Sequence, residues 1–134
     1  MLIVGLVFVL TAPQAPRNVE GGDLTVCSIA PMTGWSRNGR CETASDDSGT
    51  HVVCAQVTRA FLEFSKTRGN DLIAPRGTFP GLKEGDRWCL CALRYREALE
   101  GGVAPPVVLD ATHAKAVDYV PLEKLREHAL HAPK

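Results

Sequence analysis

The chain has 134 residues, and its 15 basic residues balance its 15 acidic ones. A chain of this length forms one domain and buries roughly two thirds of its unfolded surface without needing metals or disulfides. Neither sign of charge is concentrated in a run, which argues against nucleic-acid and anionic-membrane partners. An ordinary apolar content of 45% excludes disordered and collagen-like chains.

The first ten residues, MLIVGLVFVL, form an apolar run. This run is much shorter than the roughly 20 residues that span a bilayer. It also lacks the basic flank of a secretory signal, since the first basic residue is Arg17. A signal peptide, an extra strand and a start codon assigned too far upstream remain alternatives. We therefore treat residues 1–16 as an extension of uncertain status and residues 17–134 as a single globular domain.

The number of cysteines is odd, so a closed disulfide framework leaves at least one thiol over. This favours a reducing compartment and predicts a cytoplasmic protein, with export as the alternative if the apolar N-terminus is a signal peptide. The five residues are Cys27, Cys41, Cys54, Cys89 and Cys91.

Residues 17–50 predict turns and at most one short hairpin, centred on Asn38-Gly39. The ASDDSGT stretch that follows is typical of an exposed loop. Residues 51–57 predict a strand that leads into a helix over 59–68, with Thr58 as its N-cap. A long loop over residues 70–87 comes next, and ordered loops of this length are often functional.

RWCLCAL, residues 87–93, predicts a second strand, followed at once by a helix that ends at Gly101-Gly102. VVLDAT, residues 107–112, predicts a third strand, and the last helix has Pro121 at its first position. Residues 114–120 fit either a helix or a strand. No glycine-rich phosphate loop follows a strand, so a nucleotide site is unsupported. We expect an α+β fold, with a small mixed or antiparallel sheet flanked by helices and a long ordered loop.

Five stretches in order resemble the small, mainly bacterial domain-of-unknown-function 2237 family: CSIAPMTGW, HVVCAQVTRAFLEFSKTRGNDL, FPGLKEGDRWCLCALRYREAL, APPVVLDATHAKAV and VPLEKLREHA. They cover nearly everything from Asn18 to Ala129. The resemblance implies a compact, soluble, cytoplasmic bacterial-type domain with no assigned reaction or ligand. The chain departs from the family pattern at Arg40, where members usually have a cysteine, and at Tyr95, where a Trp is common. The first departure weakens any model in which that cysteine is an obligatory ligand.

Cys89-x-Cys91 is a candidate metal or redox pair. Structural zinc sites space their cysteines by two to four residues, and a regular strand holds these two sulfurs too far apart without leaning rotamers. Further ligands would have to come from other residues, none at a diagnostic spacing: Cys27, Cys41, Cys54, His51 or His113. A disulfide to Cys27 or Cys41 is possible in an exported protein, and buried free thiols are the alternative. The metal therefore stays unknown, and no cofactor is predicted.

Cys89, Cys91 and His113 are the candidate catalytic residues. A nucleophilic thiolate needs a neighbouring base, and His113 could meet either cysteine if their strands are neighbours. Asp110 or Asp86 could then orient the imidazole. The alternative is a capping role for His113.

The long loop supplies the candidate ligand-binding residues. Arginine and aspartate where a loop folds back over a strand suit a small anion or a polar ligand. Alternatively these residues only finish the helix and close the loop. The set is Asn70, Asp71, Arg76, Asp86 and Arg87.

These observations predict a ligand-binding or protein-interaction module. Its site would be the crevice between the GND and FPGLKEGDRW segments and the ATH segment at residues 111–113. An enzyme or metal protein that uses Cys89, Cys91 and His113 is the alternative.

Overall fold

The computed structural model describes residues 2–10 and 15–131. Residues 2–10 form neither helix nor strand, and their large apolar side chains are exposed. None of the helices in the described part of the chain is long and apolar enough to cross a membrane.

Two antiparallel strands form the sheet, β1 (His51–Gln56) and β2 (Arg87–Cys91). Cys54 lies opposite Cys89, and the register shifts between His51 and Val53. The strands are confirmed close to their predicted bounds, because both are short apolar runs. β2 ends two residues earlier than predicted, since α2 begins at Ala92.

Three α-helices accompany the sheet: α1 (Arg59–Thr67), α2 (Ala92–Glu100) and α3 (Leu122–Glu127). Thr58 caps α1 by accepting a hydrogen bond from the Phe61 N–H, as predicted. α2 begins directly after β2, and α3 begins directly after Pro121. These elements confirm the α+β fold class. Residues 114–118, which fit either type of element, form a 3-10 helix.

The predicted third strand does not form. Residues 106–113 run along the free edge of β1 and bond to it through Pro106, Val108 and His113, but Leu109–Ala111 turn into a 3-10 helix. Val107 also exchanges hydrogen bonds with residues 128 and 130. The segment therefore divides its backbone groups between two partners and makes only single bridges.

The hairpin predicted at Asn38-Gly39 does not form either. The positive φ values fall at Arg37 and Gly39 rather than at Asn38 and Gly39. The Gly39 carbonyl instead accepts hydrogen bonds from the N–H groups of Cys27 and Ser28.

The two faces of the sheet contact different layers. Val53, Ala55, Trp88 and Leu90 belong to the main core, which also contains buried side chains of α1, α2 and α3. Cys54 and Cys89 point to the opposite face, as the two-residue period of a strand requires. That face is covered by residues 24–47, which we name the N-terminal layer.

Two disulfide bonds join this layer to the sheet, Cys27–Cys54 and Cys41–Cys89. They close loops with sequence separations of 27 and 48 residues. Loop-closure entropy alone gives each bond about 3–4 kcal/mol of stabilisation. Cys91 is the cysteine that stays free, and it is half-buried.

Tyr95 is the largest fully buried side chain of the main core. Its hydroxyl donates to the Pro105 carbonyl at 3.2 Å, and burial raises the pKa of the phenol. Tyr95→Phe leaves that buried carbonyl unpaired, so we expect the free energy of unfolding to fall by about 1–2 kcal/mol in urea denaturation. Tyr119→Phe is the control, because Tyr119 is only half-buried and shares a 3.3 Å bond with Thr50. An equal loss in both variants would contradict the prediction.

We expect His113 to make the stability of the folded protein depend on pH. Burial and then the charge of Lys115 lower its pKa, and Glu42 opposes them. The unfolded chain therefore binds this proton more readily, so we expect the free energy of unfolding to decrease as the pH falls below about 6.5. His113→Asn retains an acceptor for the Lys115 N–H and should flatten this decrease in urea titrations between neutral and mildly acidic pH. Identical pH slopes in both proteins would argue against it.

Candidate functional site

A cleft of about 390 Å³ opens between the N-terminal layer and the long loop that follows α1. Gly34, Trp35 and Arg37 form one wall, and Asn70, Leu72, Arg76 and Phe79 form the other. His51, Trp88 and Cys89 line it from the sheet. Both tryptophans of the chain therefore line this cleft.

His51 is held by a buried carboxylate. The Asp47 side chain has no exposed surface, and its Oδ1 lies 2.6 Å from His51 Nδ1. The other carboxylate oxygen accepts the His51 backbone N–H at 2.9 Å and the Thr43 hydroxyl at 3.0 Å. The turn between Asp47 and Thr50 brings these groups together, with the Thr50 N–H donating to the Asp47 carbonyl.

The charge of Asp47 fixes the tautomer of His51. Burial acts to raise the pKa of Asp47, but hydrogen bonds from the His51 backbone and ring and from Thr43 outweigh it and hold that pKa below its usual value. An ionised carboxylate only accepts hydrogen bonds, so Nδ1 of the neutral imidazole carries the proton. Nε2 is then an acceptor, and it bonds to no other residue in the described part of the chain.

Neighbouring groups also fix the plane of the imidazole. Trp35 stacks on it with ring centroids 5.6 Å apart and an interplanar angle of 13°. The indole N–H of Trp35 donates to Asp46 at 3.3 Å. A Cβ at Gly49 would come within 2.5 Å of the His51 ring, so this position has no room for a side chain. Thr50 takes φ = 48°, a left-handed conformation that is costly for a β-branched residue and is often found near functional sites.

Two guanidinium groups give the cleft positive charge. Arg37 lies 5.0 Å above the Trp88 ring and donates to the Gly34 carbonyl at 2.6 Å. Arg76 donates to the Asp71 carbonyl at 2.9 Å. Each group bonds one carbonyl and keeps further N–H donors for a ligand.

The predicted loop residues divide into two groups. Asn70 and Arg76 line the cleft, and Asn70 Nδ2 is held by Ser65 at 3.0 Å. Asp71 lies at the start of the same loop, where backbone N–H donors from Ile73 and Ala74 lower its pKa.

Asp86 and Arg87 lie outside the cleft lining. Asp86 accepts from the Lys83 backbone N–H at 2.9 Å and pairs with its ammonium group at 3.1 Å. Arg87 donates to Gln56 at 3.4 Å across the sheet. The ATH segment also does not line the cleft.

The structure does not bring Cys89, Cys91 and His113 together as hydrogen-bonded neighbours. Cys89 is bonded to Cys41, and Cys91 lies opposite His51 in the sheet. His113 bonds to the other edge of β1 through Val52, so β1 separates it from the strand that carries both cysteines. Its Nδ1 accepts the Lys115 N–H at 3.0 Å, which is a capping role.

Three cleft or supporting residues were missed by the sequence analysis: Trp35, Arg37 and Asp47. His51 was considered there only as a possible metal ligand. Asp47 lies in a stretch whose composition is typical of an exposed loop, yet it is buried. The available signal was an aspartate four residues before a strand-initiating histidine, with Gly49 between them. For metals, the described residues with converging ligand atoms are Cys27, Cys41 and Cys54, whose sulfurs lie within 4.8 Å of one another.

No curated protein matches this sequence. The family described as "Uncharacterized protein conserved in bacteria (DUF2237)" matches residues 17–129. This match confirms the resemblance noted from the sequence motifs and covers most of the chain, and the protein therefore belongs to this bacterial family of unknown function.

Proposed function

We propose that the protein binds a small aromatic carboxylate that carries a hydroxyl group. The observation that carries this proposal is the cleft itself, in which aromatic rings and two guanidinium groups surround an oriented histidine acceptor. Among the two functions expected from the sequence, it supports ligand binding over protein interaction.

The size and lining of the cleft suit a small molecule. Its volume of about 390 Å³ falls at the lower end of the range for ligand sites, which is roughly 300–1,000 Å³. Trp35, Phe79 and Trp88 supply apolar surface, and Phe79 and Trp88 meet edge to face at 5.2 Å. A flat ring in the ligand would bury its faces against such side chains.

The charges favour an anion. Arg37 and Arg76 line the cleft, whereas the nearby carboxylates of Asp47 and Asp71 are engaged by His51 and by backbone N–H groups. Guanidinium groups bind carboxylates through strong, paired hydrogen bonds. The Nε2 acceptor of His51 complements this by accepting a hydrogen bond from the hydroxyl group of the ligand.

The alternative enzyme or metal protein that uses Cys89, Cys91 and His113 stays a prediction. The free thiol available to it is Cys91.

The disulfides bear on localisation. Disulfides persist in oxidising compartments and are rare in the cytosol. The pairs Cys27–Cys54 and Cys41–Cys89 therefore support the exported alternative over the cytoplasmic expectation.

Tryptophan fluorescence tests the ligand class directly, because both tryptophans line the cleft. We expect 4-hydroxyphenylacetate to change the emission saturably. Phenylacetate lacks the hydroxyl and 4-hydroxyphenylacetamide lacks the charge, so each should bind several-fold more weakly. Equal responses to the acid and the amide would contradict the proposal.

Arg76→Gln removes one charged donor from the cleft rim, and we expect it to weaken 4-hydroxyphenylacetate binding about tenfold. Arg96→Gln is the matched control, since Arg96 lies on the exposed side of α2 and pairs there with Glu100. Unchanged binding in Arg76→Gln, or an equal loss in Arg96→Gln, would exclude the cleft as the site.

Asp47→Asn should reverse the tautomer of His51. The amide oxygen must face the His51 backbone N–H and the Thr43 hydroxyl, so the amide nitrogen donates to Nδ1 and the ring proton moves to Nε2. Imidazole ¹⁵N shifts at alkaline pH should show Nδ1–H in the parent and Nε2–H in the variant. The advantage of the hydroxyl-bearing ligand should decrease as well, because the ligand hydroxyl then has to accept a hydrogen bond from Nε2–H instead of donating one. Asp46→Asn, which changes only an exposed partner of Trp35, is the control.

A further inference from the structure

The two disulfides bring four sulfur atoms into one place. The sulfurs of Cys27, Cys41 and Cys54 lie within 4.8 Å of one another, and Cys89 is bonded to Cys41 at 2.04 Å. All four cysteines are buried, with Cys41 and Cys54 at 0% exposure. They form a separate small core together with Ala111, and Val108 packs against it.

We propose that Cys27, Cys41, Cys54 and Cys89 bind one zinc ion as four thiolates when both disulfides are reduced. Two equivalents of a dithiol reduce the two disulfides to four protein thiols and become two disulfides themselves. Zn²⁺ then replaces the four thiol protons, which pass to solvent. Reoxidation by disulfide exchange reverses the sequence and releases the ion.

The distances suit this ion after a small rearrangement. Four sulfurs on a tetrahedral zinc lie about 3.8 Å apart, given Zn–S bonds of about 2.3 Å. The non-bonded sulfurs among Cys27, Cys41 and Cys54 need to approach by about 1 Å or less. Each bonded pair must open, and the Cys89 sulfur, which lies outside the group within 4.8 Å, has to move further. Four thiolates in tetrahedral geometry favour zinc over calcium or magnesium, which take oxygen ligands.

Contacts other than the disulfides hold three of the four backbone positions, those of Cys27, Cys54 and Cys89. Cys54 and Cys89 stay opposite each other through the β1–β2 ladder. Their N–H groups donate to the hydroxyls of Thr112 at 3.1 Å and Thr33 at 2.9 Å. The Cys27 N–H donates to the Gly39 carbonyl at 2.7 Å, which holds Cys27 beside the residues that precede Cys41. Reduction therefore leaves three thiols already gathered, so that mainly Cys41 has to be ordered when zinc binds, and a largely preorganised site loses less entropy on binding.

Zinc binding by the four cysteines does not depend on ligand binding in the aromatic cleft, although Cys89 borders both sites. It also differs from the Cys89-x-Cys91 pair considered from the sequence, because Cys91 forms no disulfide and does not belong to the buried cysteine core. Cys91 thus supplies an internal control.

Metal analysis of reduced protein tests the proposal. The full chain is unfolded in denaturant with tris(2-carboxyethyl)phosphine, refolded anaerobically with or without Zn²⁺, and freed of unbound metal. We expect about one zinc per chain with a dissociation constant below about 0.1 µM. Cobalt substitution should give the thiolate-to-cobalt absorption of a four-sulfur tetrahedral site.

Cysteine variants distinguish zinc binding by the four-cysteine cluster from zinc binding by the remaining thiol. Cys91→Ser should retain full zinc binding, whereas Cys27→Ser and Cys54→Ser should each lower the affinity at least a hundredfold. Circular dichroism and tryptophan emission report whether each reduced protein is folded. A folded reduced protein that binds no zinc would overturn the proposal, as would loss of zinc in Cys91→Ser. A reduced chain that stays unfolded even with zinc present would overturn it too.

Discussion

The cross-strand pair Cys54 and Cys89 directs two disulfides to the same face of a two-stranded sheet, and the rest of the molecule depends on this constraint. The bonds reach Cys27 and Cys41, so the residues between these two cysteines must cross the sheet close to β1 and β2. Trp35 and Arg37 lie in that crossing segment. The cleft thus has its second wall because two covalent bonds hold the N-terminal layer in place.

The elements that sequence analysis predicted well are those set by neighbouring residues. β1 and β2 are short apolar runs, and α1 and α3 begin at a cap or a proline. These signals act over a few positions. The segment 107–112 has the same apolar composition but forms no strand. Its backbone groups are divided between β1 and residues 128–130, and such long-range competition leaves no local signature.

Only part of the candidate site could be predicted from the sequence, for a related reason. Polar residues in a long loop serve either a ligand or the loop itself, and composition does not distinguish them. Asn70 and Arg76 face the cleft, while Asp86 satisfies Lys83 and closes the loop. Asp47 was missed because a buried aspartate in a turn has the same neighbours in sequence as an exposed one. Its burial depends on accepting bonds from His51 and Thr43, which compensate for lost hydration.

Cys89 connects the cleft with the cysteine cluster, since this residue borders both. Opening the Cys41–Cys89 bond releases the end of the segment that carries Trp35 and Arg37. The oxidation state of the cysteines therefore affects how firmly one wall of the cleft is held. Linkage then requires reciprocity: a ligand that binds the oxidised form more tightly makes the disulfides harder to reduce by the same factor. Zinc held by the four thiolates would replace the lost covalent constraint with coordinate bonds at nearly the same positions. The cleft wall is therefore retained in both the disulfide form and the zinc-bound form. The difference in ligand affinity between these two forms measures how rigidly the cysteines hold the N-terminal layer.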